Sequence, residues 1–509
     1  MLFRSRELTE YVEDEETTDG YLIVGDDVWD ADNDIEELPD SWFRFTKAGR
    51  VPTKEIAHRL PKRLWYDADG NCSETTPLEY EGWFMPAPLL FDPTSGTFFD
   101  TKTRESTKLA TLGSEGRSTS TTITAFSILD RLREAGYSLV DQKLLSFTDN
   151  RQDAALQAGH FNDFVQVIHL RSAIRKALEA APDQRLTFSD LGPAVFKALG
   201  LPFTHFANQE REPELAPVRR RFEETFQRLI VYRALADLER SWRIVLPNLE
   251  QCGLLEIEYA DLPEIAGTGS YWEDTPILRS LSPDKRCEFL ATILDYFRLE
   301  YAIHSANFLE YDKMRQAEKE FREQLRAPWT LDENERLSNP RVLRYEPLDR
   351  RSNLASASLG PTSSLGKYIK KFVADANLDA SVVQGDHYHD FILGLCKKLV
   401  DAGYLHEDDA KADGGGKVPV YRLKIDRLIW KLGDGETVKN DVIKRRSYKT
   451  ATLPPNVFFR DMYRREFVTT KRLRAEDHTG QLDKDRSEEH TSELQSRQYL
   501  VCRLLLEKK

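Results

Sequence analysis

The sequence lacks a long apolar run, paired cysteines and a positive net charge. None of its apolar runs reaches the roughly 18 residues that a membrane-spanning helix needs, so we expect no membrane partner. The opening residues, MLFRSRELTEYVEDEE, lack the apolar core of a secretory signal. The five cysteines form no Cys-x-x-Cys pair, which argues against a zinc knuckle or a disulfide framework and predicts a protein of the reducing cytoplasm.

The composition, 40% hydrophobic and 31% charged, predicts a soluble folded protein. The net charge of −13 speaks against non-specific nucleic-acid binding, but the charge is unevenly distributed. Residues 1–40 are strongly acidic, which is typical of a solvated face, with a partner-binding site as the alternative. Aromatic residues and turns such as Asp67-Ala-Asp-Gly70 predict that residues 1–107 form a β-rich segment.

Residues 108–122, KLATLGSEGRSTSTT, do not have the spacing of an ATP-binding loop. Such a loop has the pattern G-x-x-x-x-G-K-[ST], whereas Gly116 is here followed by Arg117. A glycine-rich turn with Arg117 and Ser118 could still hold a nucleic-acid phosphate. The alternative is a plain loop in which Ser118 or Thr119 caps a helix predicted over Ala125–Ala135.

The segment Lys143–Asp153, KLLSFTDNRQD, predicts a buried strand, a polar turn and the start of a helix. In an open parallel sheet, ligands bind at the turn that follows a strand's carboxyl end, and a helix N-terminus there favours phosphates. Asp149 or Asn150 could cap the helix, and Arg151 could grip a phosphate with two hydrogen bonds. An ordinary strand-to-helix turn of an unrelated α/β protein would have the same pattern.

Two stretches resemble a known family. LLSFTDNRQDAALQAGHFNDF resembles the first strand and turn (motif IV) of the second RecA-like domain in superfamily 2 DEAD/DEAH-box helicases, in particular a branch of large bacterial helicases. AEDHTGQL resembles the His-x-Gly-x-Leu turn of the same domain. This resemblance implies nucleic-acid contacts at the two turns. The candidate nucleic-acid-binding residues come from these two turns, from the glycine-rich segment and from a further helix that contains two lysines. They are Arg117, Ser118, Thr148, Asp149, Arg151, Gln152, His478, Thr479, Lys397 and Lys398.

The resemblance implies that a longer parent protein is an ATP-dependent helicase that moves along nucleic acid, with DNA favoured over RNA. Such an enzyme needs a phosphate loop, a metal-holding carboxylate and an arginine finger around one nucleotide. None of these motifs occurs in this sequence. We therefore expect ATP and Mg²⁺ to act in the parent, with the first RecA-like domain as a missing partner, and we expect this chain to bind neither.

Residues 366–450 have the helix, strand, loop and strand order of a winged helix, followed by a basic tail. Asp390–Ala402 is predicted as the helix, with Gly403 as its C-cap and Lys397 and Lys398 on one side. Glu407–Gly416 is predicted as an acidic loop. A non-enzymatic winged-helix DNA-binding or scaffold protein is therefore the alternative function. Residues His387 and His389 lack a third ligand, so we expect no metal site.

Residues 424–474 are rich in lysine, arginine and aromatic side chains, among them Phe459 and Tyr463. That mixture suits a single strand of nucleic acid, with cations on phosphates and rings on bases. A solvated charged face is the alternative. Residues 486–496, RSEEHTSELQS, match the translation of a sequencing-library adapter, so we expect residues 486–509 to pack against nothing.

The predicted fold is α/β: a partial RecA-like parallel sheet, interrupted by a large, mainly helical insertion with winged-helix character, plus the β-rich N-terminal segment. In that sheet, Lys143–Thr148 should neighbour and run parallel to Glu466–Thr470 or Lys471–Ala475. The predicted divisions are 1–107 (acidic, β-rich), 108–170 (first part of the RecA-like domain), 171–365 (helical insertion), 366–450 (winged-helix-like, with basic tail), 451–485 (return to the RecA-like domain) and 486–509 (adapter-derived).

Overall fold

The computed structural model divides the chain into two compact units, residues 1–116 with 440–452, and residues 117–439 with 453–509. The chain is mixed α/β, with several small antiparallel and mixed sheets. The structure describes residues 2–3, 20–24, 29, 38, 42–46, 49–93, 97–98, 114–138, 144–147, 151–238, 247–332, 335–349, 351–352, 354–376, 378–413, 415–439, 443, 455–465, 473–478 and 501–506.

The first unit is built on an antiparallel sheet with the strand order β1 (Leu2–Phe3), β2 (Gly20–Ile23), β7 (Tyr80–Pro86), β5 (Lys62–Tyr66) and β6 (Cys72–Ser73). In β2 the alternating pattern places Tyr21 and Ile23 in a core that also contains Trp29, Met85 and Phe91. The β-rich segment predicted from the sequence is present in the described part. Its elements are β1 Leu2–Phe3, β2 Gly20–Ile23, β3 Phe43–Thr46, β4 Gly49–Pro52, α1 Lys54–Ala57, β5 Lys62–Tyr66, β6 Cys72–Ser73, β7 Tyr80–Pro86, β8 Phe91–Asp92 and β9 Thr97–Phe98.

The second unit begins, in the described residues, with helices and two short strands. Its first elements are α2 Ser114–Glu134 (whose first turn belongs to the first unit), β10 Leu144–Phe147, α3 Arg151–Ala180, β11 Arg185–Thr187, α4 Phe188–Leu199, α5 Phe203–Phe206 and α6 Ala216–Leu238. The strand and the helix predicted around Lys143–Asp153 therefore have the expected order, while the predicted turn between them lies outside the described residues. The glycine-rich turn predicted at Arg117 and Ser118 is wrong, because both residues lie inside α2.

The early start of α2 has a packing cause. Thr122, Ala125, Phe126 and Leu129 are all buried, and their spacing of three and four residues forms one continuous face. Burial of that face stabilises a helix that begins well before the predicted Ala125, and it overrides the weak helix propensity of the serine- and threonine-rich start. The predicted cap at Ser118 or Thr119 is wrong for the same reason.

Strand β10 belongs to a small sheet with β19 (Leu473–His478) and β20 (Val501–Leu506), in which β20 is the middle strand and is antiparallel to both neighbours. Strands β10 and β19 therefore run parallel to each other in one sheet, as predicted. They are not neighbours, and a parallel RecA-like sheet is not found among the described residues. The last elements of the unit along the chain are β18 Leu428–Leu432, α13 Val457–Arg464, β19 Leu473–His478 and β20 Val501–Leu506. The other predicted partner, Glu466–Thr470, lies outside the described residues.

Strand β20 also corrects the expectation that residues 486–509 pack against nothing. Val501–Leu506, VCRLLL, is rich in strand-forming apolar residues and pairs along both of its edges. The adapter-like residues 486–496 themselves lie outside the described residues. The correction therefore concerns the tail that follows them.

Between these ends, helices and two further sheets form the middle of the unit. Strand β18 is the centre of a three-stranded antiparallel sheet between β11 and β12 (Leu255–Tyr259). The connecting elements are β12 Leu255–Tyr259, α7 Leu262–Gly267, α8 Pro276–Arg279, α9 Pro283–Leu299, β13 Ile303–His304, α10 Tyr311–Gln324, β14 Val342–Arg344, β15 Ser356–Ser358, α11 Ser364–Asp375, α12 Gly385–Asp401, β16 Leu405–Lys411 and β17 Lys417–Lys424.

Elements α11 to β17 have the element order of a winged helix. Helix α12 ends as predicted, with Gly403 in the left-handed region at φ +80° and its amide bonded to the Val400 carbonyl. The predicted acidic loop from Glu407 is too long, because β16 continues through Lys411 and pairs with β17. Ala410 is buried against Val420, and this packing keeps the acidic residues in the strand.

Candidate nucleic-acid interface

The candidate site is the sheet edge at which β10 and β19 end. Phe147, the last residue of β10, and His478, the last residue of β19, both pair with Val501 on opposite sides of β20. Neighbouring strands are roughly 4.8 Å apart, so the two strand ends lie about 10 Å from each other. The chain leaves both strands at the same edge of the sheet.

Helix α3 starts beside this edge, four residues after β10 ends. The first turn of a helix carries amide groups without partners in the helix and the positive end of the helix dipole. A helix of this length that starts beside the ends of two parallel strands is therefore suited to a phosphate group. Arg151 and Gln152 are its first two residues.

A pair of hydrogen bonds attaches α3 to β19. The Asn162 side-chain amide donates to the Ala475 carbonyl oxygen at 3.0 Å, and the Ala475 amide donates to Asn162 Oδ1 at 2.8 Å. Ala475 is buried. The side chain of Asn162 therefore takes the place of a further strand at this point of β19 and sets the position of α3 along it.

A second contact attaches α3 to α2. His160 lies between Thr119 and Thr122, with Nε2 3.2 Å from the first hydroxyl oxygen and Nδ1 2.9 Å from the second. Gln157 also donates to the Thr122 hydroxyl at 2.9 Å. Burial lowers the pKa of His160, and the nearby Asp163 carboxylate only partly offsets this effect. A neutral imidazole therefore joins the two helices.

Sequence reasoning missed both Asn162 and His160. Both lie in the helical part of the stretch that resembles motif IV, beyond the residues that were predicted to bind nucleic acid. The signal that could have found Asn162 is its position within a helix, where asparagine is an unfavourable residue unless its side chain has a specific partner.

The structure places the predicted site residues as follows. Arg151 and Gln152 open α3 and His478 closes β19, so the backbone brings these three to one edge of the sheet. Arg117 and Ser118 lie in α2, just before the threonines that contact His160. The remaining turn residues, Thr148, Asp149 and Thr479, lie outside the described residues.

Lys397 and Lys398 lie on α12, in the winged-helix part of the unit, and differ from each other. The Lys398 ammonium group donates to the Tyr271 carbonyl at 3.0 Å, pairs with Asp274 at 2.9 Å and lies 4.8 Å from the centre of the Tyr271 ring. These contacts engage it within the protein. Lys397 is exposed and forms no ion pair with the described residues.

The basic stretch 424–474 is largely engaged in internal contacts where the structure describes it. The Lys431 ammonium group lies 3.0 Å from a Glu256 carboxylate oxygen and 2.9 Å from one of Glu258, across the β18–β12 pair. Further cations of the stretch have acidic partners: Arg427 with Asp261, Lys439 with Asp295, Arg460 with Glu436 and Asp461, and Arg465 with Asp130. This pairing favours the charged-face alternative over a nucleic-acid groove.

Tyr463 is likewise unsuited to stacking on a base. It is fully buried, and its hydroxyl group accepts from the Arg171 guanidinium at 2.7 Å and donates to the Pro247 carbonyl at 2.8 Å. The same guanidinium pairs with Asp237 at 2.5 Å. Burial disfavours the charged form of Arg171, but the Asp237 carboxylate and Tyr463 outweigh it and raise the pKa of Arg171. Tyr463 and the ion pair thus join α3, α6 and α13 in one buried network.

Comparison with known proteins assigns no family to this chain. The chain matches no protein-family model, no curated protein and no solved structure. In the part of the chain that the structure describes, the helices are too short or too polar to cross a bilayer. The candidate site therefore depends on the arrangement of β10, β19 and α3 alone.

Proposed function

We propose that this chain is part of an ATP-dependent superfamily 2 helicase or translocase, and that the edge formed by β10, β19 and α3 contacts the backbone of a nucleic-acid strand. The observation that carries the proposal is the meeting of the two helicase-like stretches. Asn162 and Ala475 are 313 residues apart in sequence, yet two hydrogen bonds join them. The strands that precede the two helicase-like turns share one sheet and end at one edge.

The contact is electrostatic in character. The amide groups of the first turn of α3 and the Arg151 guanidinium would bind phosphate oxygens, since a fixed cation at a helix N-terminus favours an anion. Such contacts do not read the base sequence, which suits a protein that moves along a strand. We favour DNA as the strand.

The residues of this chain do not fit ATP. The sequence has no G-x-x-x-x-G-K-[ST] loop, and the glycine-rich segment that comes nearest to it is helical from Ser114 onward. We expect the purified chain to hydrolyse no ATP, with or without DNA. Phosphate release at a typical helicase rate would contradict this expectation.

Fluorescence anisotropy of labelled single-stranded DNA, duplex DNA and RNA tests the proposed contact. Arg151→Ala should weaken single-strand binding and reduce the slope of log affinity against log salt by about 0.7, the contribution of one phosphate contact. Arg220→Ala is the matched control, since Arg220 is an exposed arginine on α6. Binding that is equal in the two variants would exclude the sheet edge as the interface.

The alternative, a non-enzymatic winged-helix protein, is favoured by the order of α11, α12, β16 and β17. A winged helix contacts duplex DNA through its second helix. Lys397 is the exposed cation that α12 offers for that role. If Lys397→Ala weakens duplex binding and Arg151→Ala changes nothing, the winged-helix function replaces the helicase function.

A further inference from the structure

Two histidines and one aspartate meet on the sheet of the winged-helix part. His304 ends β13, while His406 and Asp408 lie two residues apart on β16 and so face the same side of the strand. Strand β17 runs between them, with Arg422 opposite His406 and Lys424 opposite His304. Residues that are 102 positions apart in sequence are therefore adjacent across one strand.

The geometry brings three metal-binding atoms together. One nitrogen of each histidine and one carboxylate oxygen of Asp408 all lie within 4.8 Å of one another. His406 Nε2 is 3.0 Å from Asp408 Oδ1. The two imidazole rings are stacked, with centres 3.7 Å apart and planes 12° from parallel. Among the described residues, this is the one group of three or more such side chains at this spacing.

His304 has an open position for a ligand. Its Nδ1 atom is buried and forms no hydrogen bond with the described residues, and Glu310 Oε1 lies 3.9 Å from it. In the neutral tautomer that carries its proton on Nε2, the Nδ1 atom of His304 offers a lone pair to an ion. A buried polar atom without a hydrogen bond can therefore accept an ion without first losing a protein partner.

Asp408 is already oriented by a neighbour. The Arg422 guanidinium donates to Asp408 Oδ2 at 2.5 Å, which leaves Oδ1 directed to His406. Metal-binding carboxylates commonly have a hydrogen-bond donor on their second oxygen. An ion bound by His406 Nε2 and Asp408 Oδ1 would replace the hydrogen bond between these two atoms.

We propose that His304, His406 and Asp408 bind one divalent transition-metal ion, such as Zn²⁺. Two imidazole nitrogens and one carboxylate oxygen suit this class of ion better than Mg²⁺ or Ca²⁺. Zinc bonds of about 2.0–2.2 Å place tetrahedral ligand atoms roughly 3.3 Å apart, which requires a small contraction of the cluster. Imidazole lone pairs lie in the ring planes, so one of the stacked rings must also turn about χ2. Water or Glu310 would complete the coordination.

The ion would cross-link β13 to β16 across β17 and would stabilise the base of the hairpin that β16 and β17 form. The positive charges of Arg422 and Lys424 oppose a cation at this site, so we expect weaker binding than at a structural zinc site. Lys424→Gln removes one of these charges without removing a ligand. This variant should therefore bind Zn²⁺ several-fold more tightly than the unaltered chain.

Equilibrium dialysis of the full chain after treatment with a chelator tests the site. We expect one equivalent of Zn²⁺ per chain, and loss of that equivalent in His304→Ala, His406→Ala and Asp408→Asn. His389→Ala is the control, since His389 is a histidine of the same unit that lies outside the cluster and contacts Asp390 and Tyr345 among the described residues. Absence of zinc from the unaltered chain, or one equivalent retained in all three variants, would overturn the proposal.

A second measurement guards against variants that do not fold. The absorption spectrum of bound Co²⁺ reports the ligand set directly and can be recorded with the unaltered chain. A tetrahedral spectrum that Zn²⁺ abolishes by displacement supports the site. An octahedral spectrum typical of Co²⁺ in water, at saturating metal, contradicts it. Zn²⁺ should also raise the melting temperature of the unaltered chain and leave that of Asp408→Asn unchanged.

Discussion

Replacing Asn162 by alanine tests the arrangement on which the candidate nucleic-acid interface depends. The side chain provides both hydrogen bonds that join α3 to the backbone of Ala475. In the variant, the amide and the carbonyl group of a buried residue lose their partners. Each unsatisfied buried group costs about 1–3 kcal/mol. Asn162 is only half-buried, so water partly replaces it, and we expect the free energy of unfolding to fall by about 2–4 kcal/mol.

Two further variants make this loss interpretable. Asn162→Asp keeps an acceptor for the Ala475 amide but loses the donor to its carbonyl oxygen, so we expect an intermediate loss. Asn208→Ala is the matched control: Asn208 is exposed, and its side chain donates one long hydrogen bond, 3.4 Å, to the Glu323 carbonyl. We expect that substitution to cost about 0.5 kcal/mol or less.

Urea unfolding followed by circular dichroism measures the three free energies, and hydrogen exchange of the Ala475 amide gives the local readout. That amide should exchange slowly in the unaltered chain and much faster in Asn162→Ala. If Asn162→Ala costs no more than Asn208→Ala, and the exchange of the Ala475 amide is unchanged, α3 does not contact β19. The two helicase-like stretches would then have no common site.

Three other predictions follow from buried groups and from β20. Asp237→Asn should lower the free energy of unfolding by about 3–5 kcal/mol, because it leaves Arg171 buried without its counter-ion. Glu134→Gln, which breaks the exposed pair of Glu134 with Arg131, should cost about 0–1 kcal/mol. Similar losses for the two variants in urea unfolding would contradict this prediction. The pKa of His160 is lowered in the folded chain, so the contribution of this side chain to stability is full above the ordinary histidine pKa of 6.5 and is lost as the pH falls below that value. His160→Gln should therefore flatten the pH dependence of the melting temperature below pH 6.5. An unchanged profile would refute this prediction. Removing residues 497–509 deletes the middle strand β20 and should lower the melting temperature, whereas an equally stable shortened chain would restore the view that the whole tail packs against nothing.

Local features of this protein were determined by the sequence alone. The end of α12 at Gly403, the turn at Asp67–Gly70, and the strand β10 followed by the helix α3 depend on interactions within a few residues. Glycine in the left-handed region, capping side chains and periodic apolar residues act at that range, and they have the same effect in any tertiary context.

Only the tertiary structure decided which segments meet. The apolar pattern of Val501–Leu506 is compatible with a strand, but no local signal places that strand between β10 and β19. From the sequence, the cations of residues 424–474 were predicted to suit nucleic acid, whereas in the folded chain acids such as Glu256 lie beside Lys431. His304 and His406 are unremarkable in sequence and become a candidate metal site only across β17. Such contacts join residues far apart in the chain, and they depend on strand register and packing, which neighbouring residues do not encode.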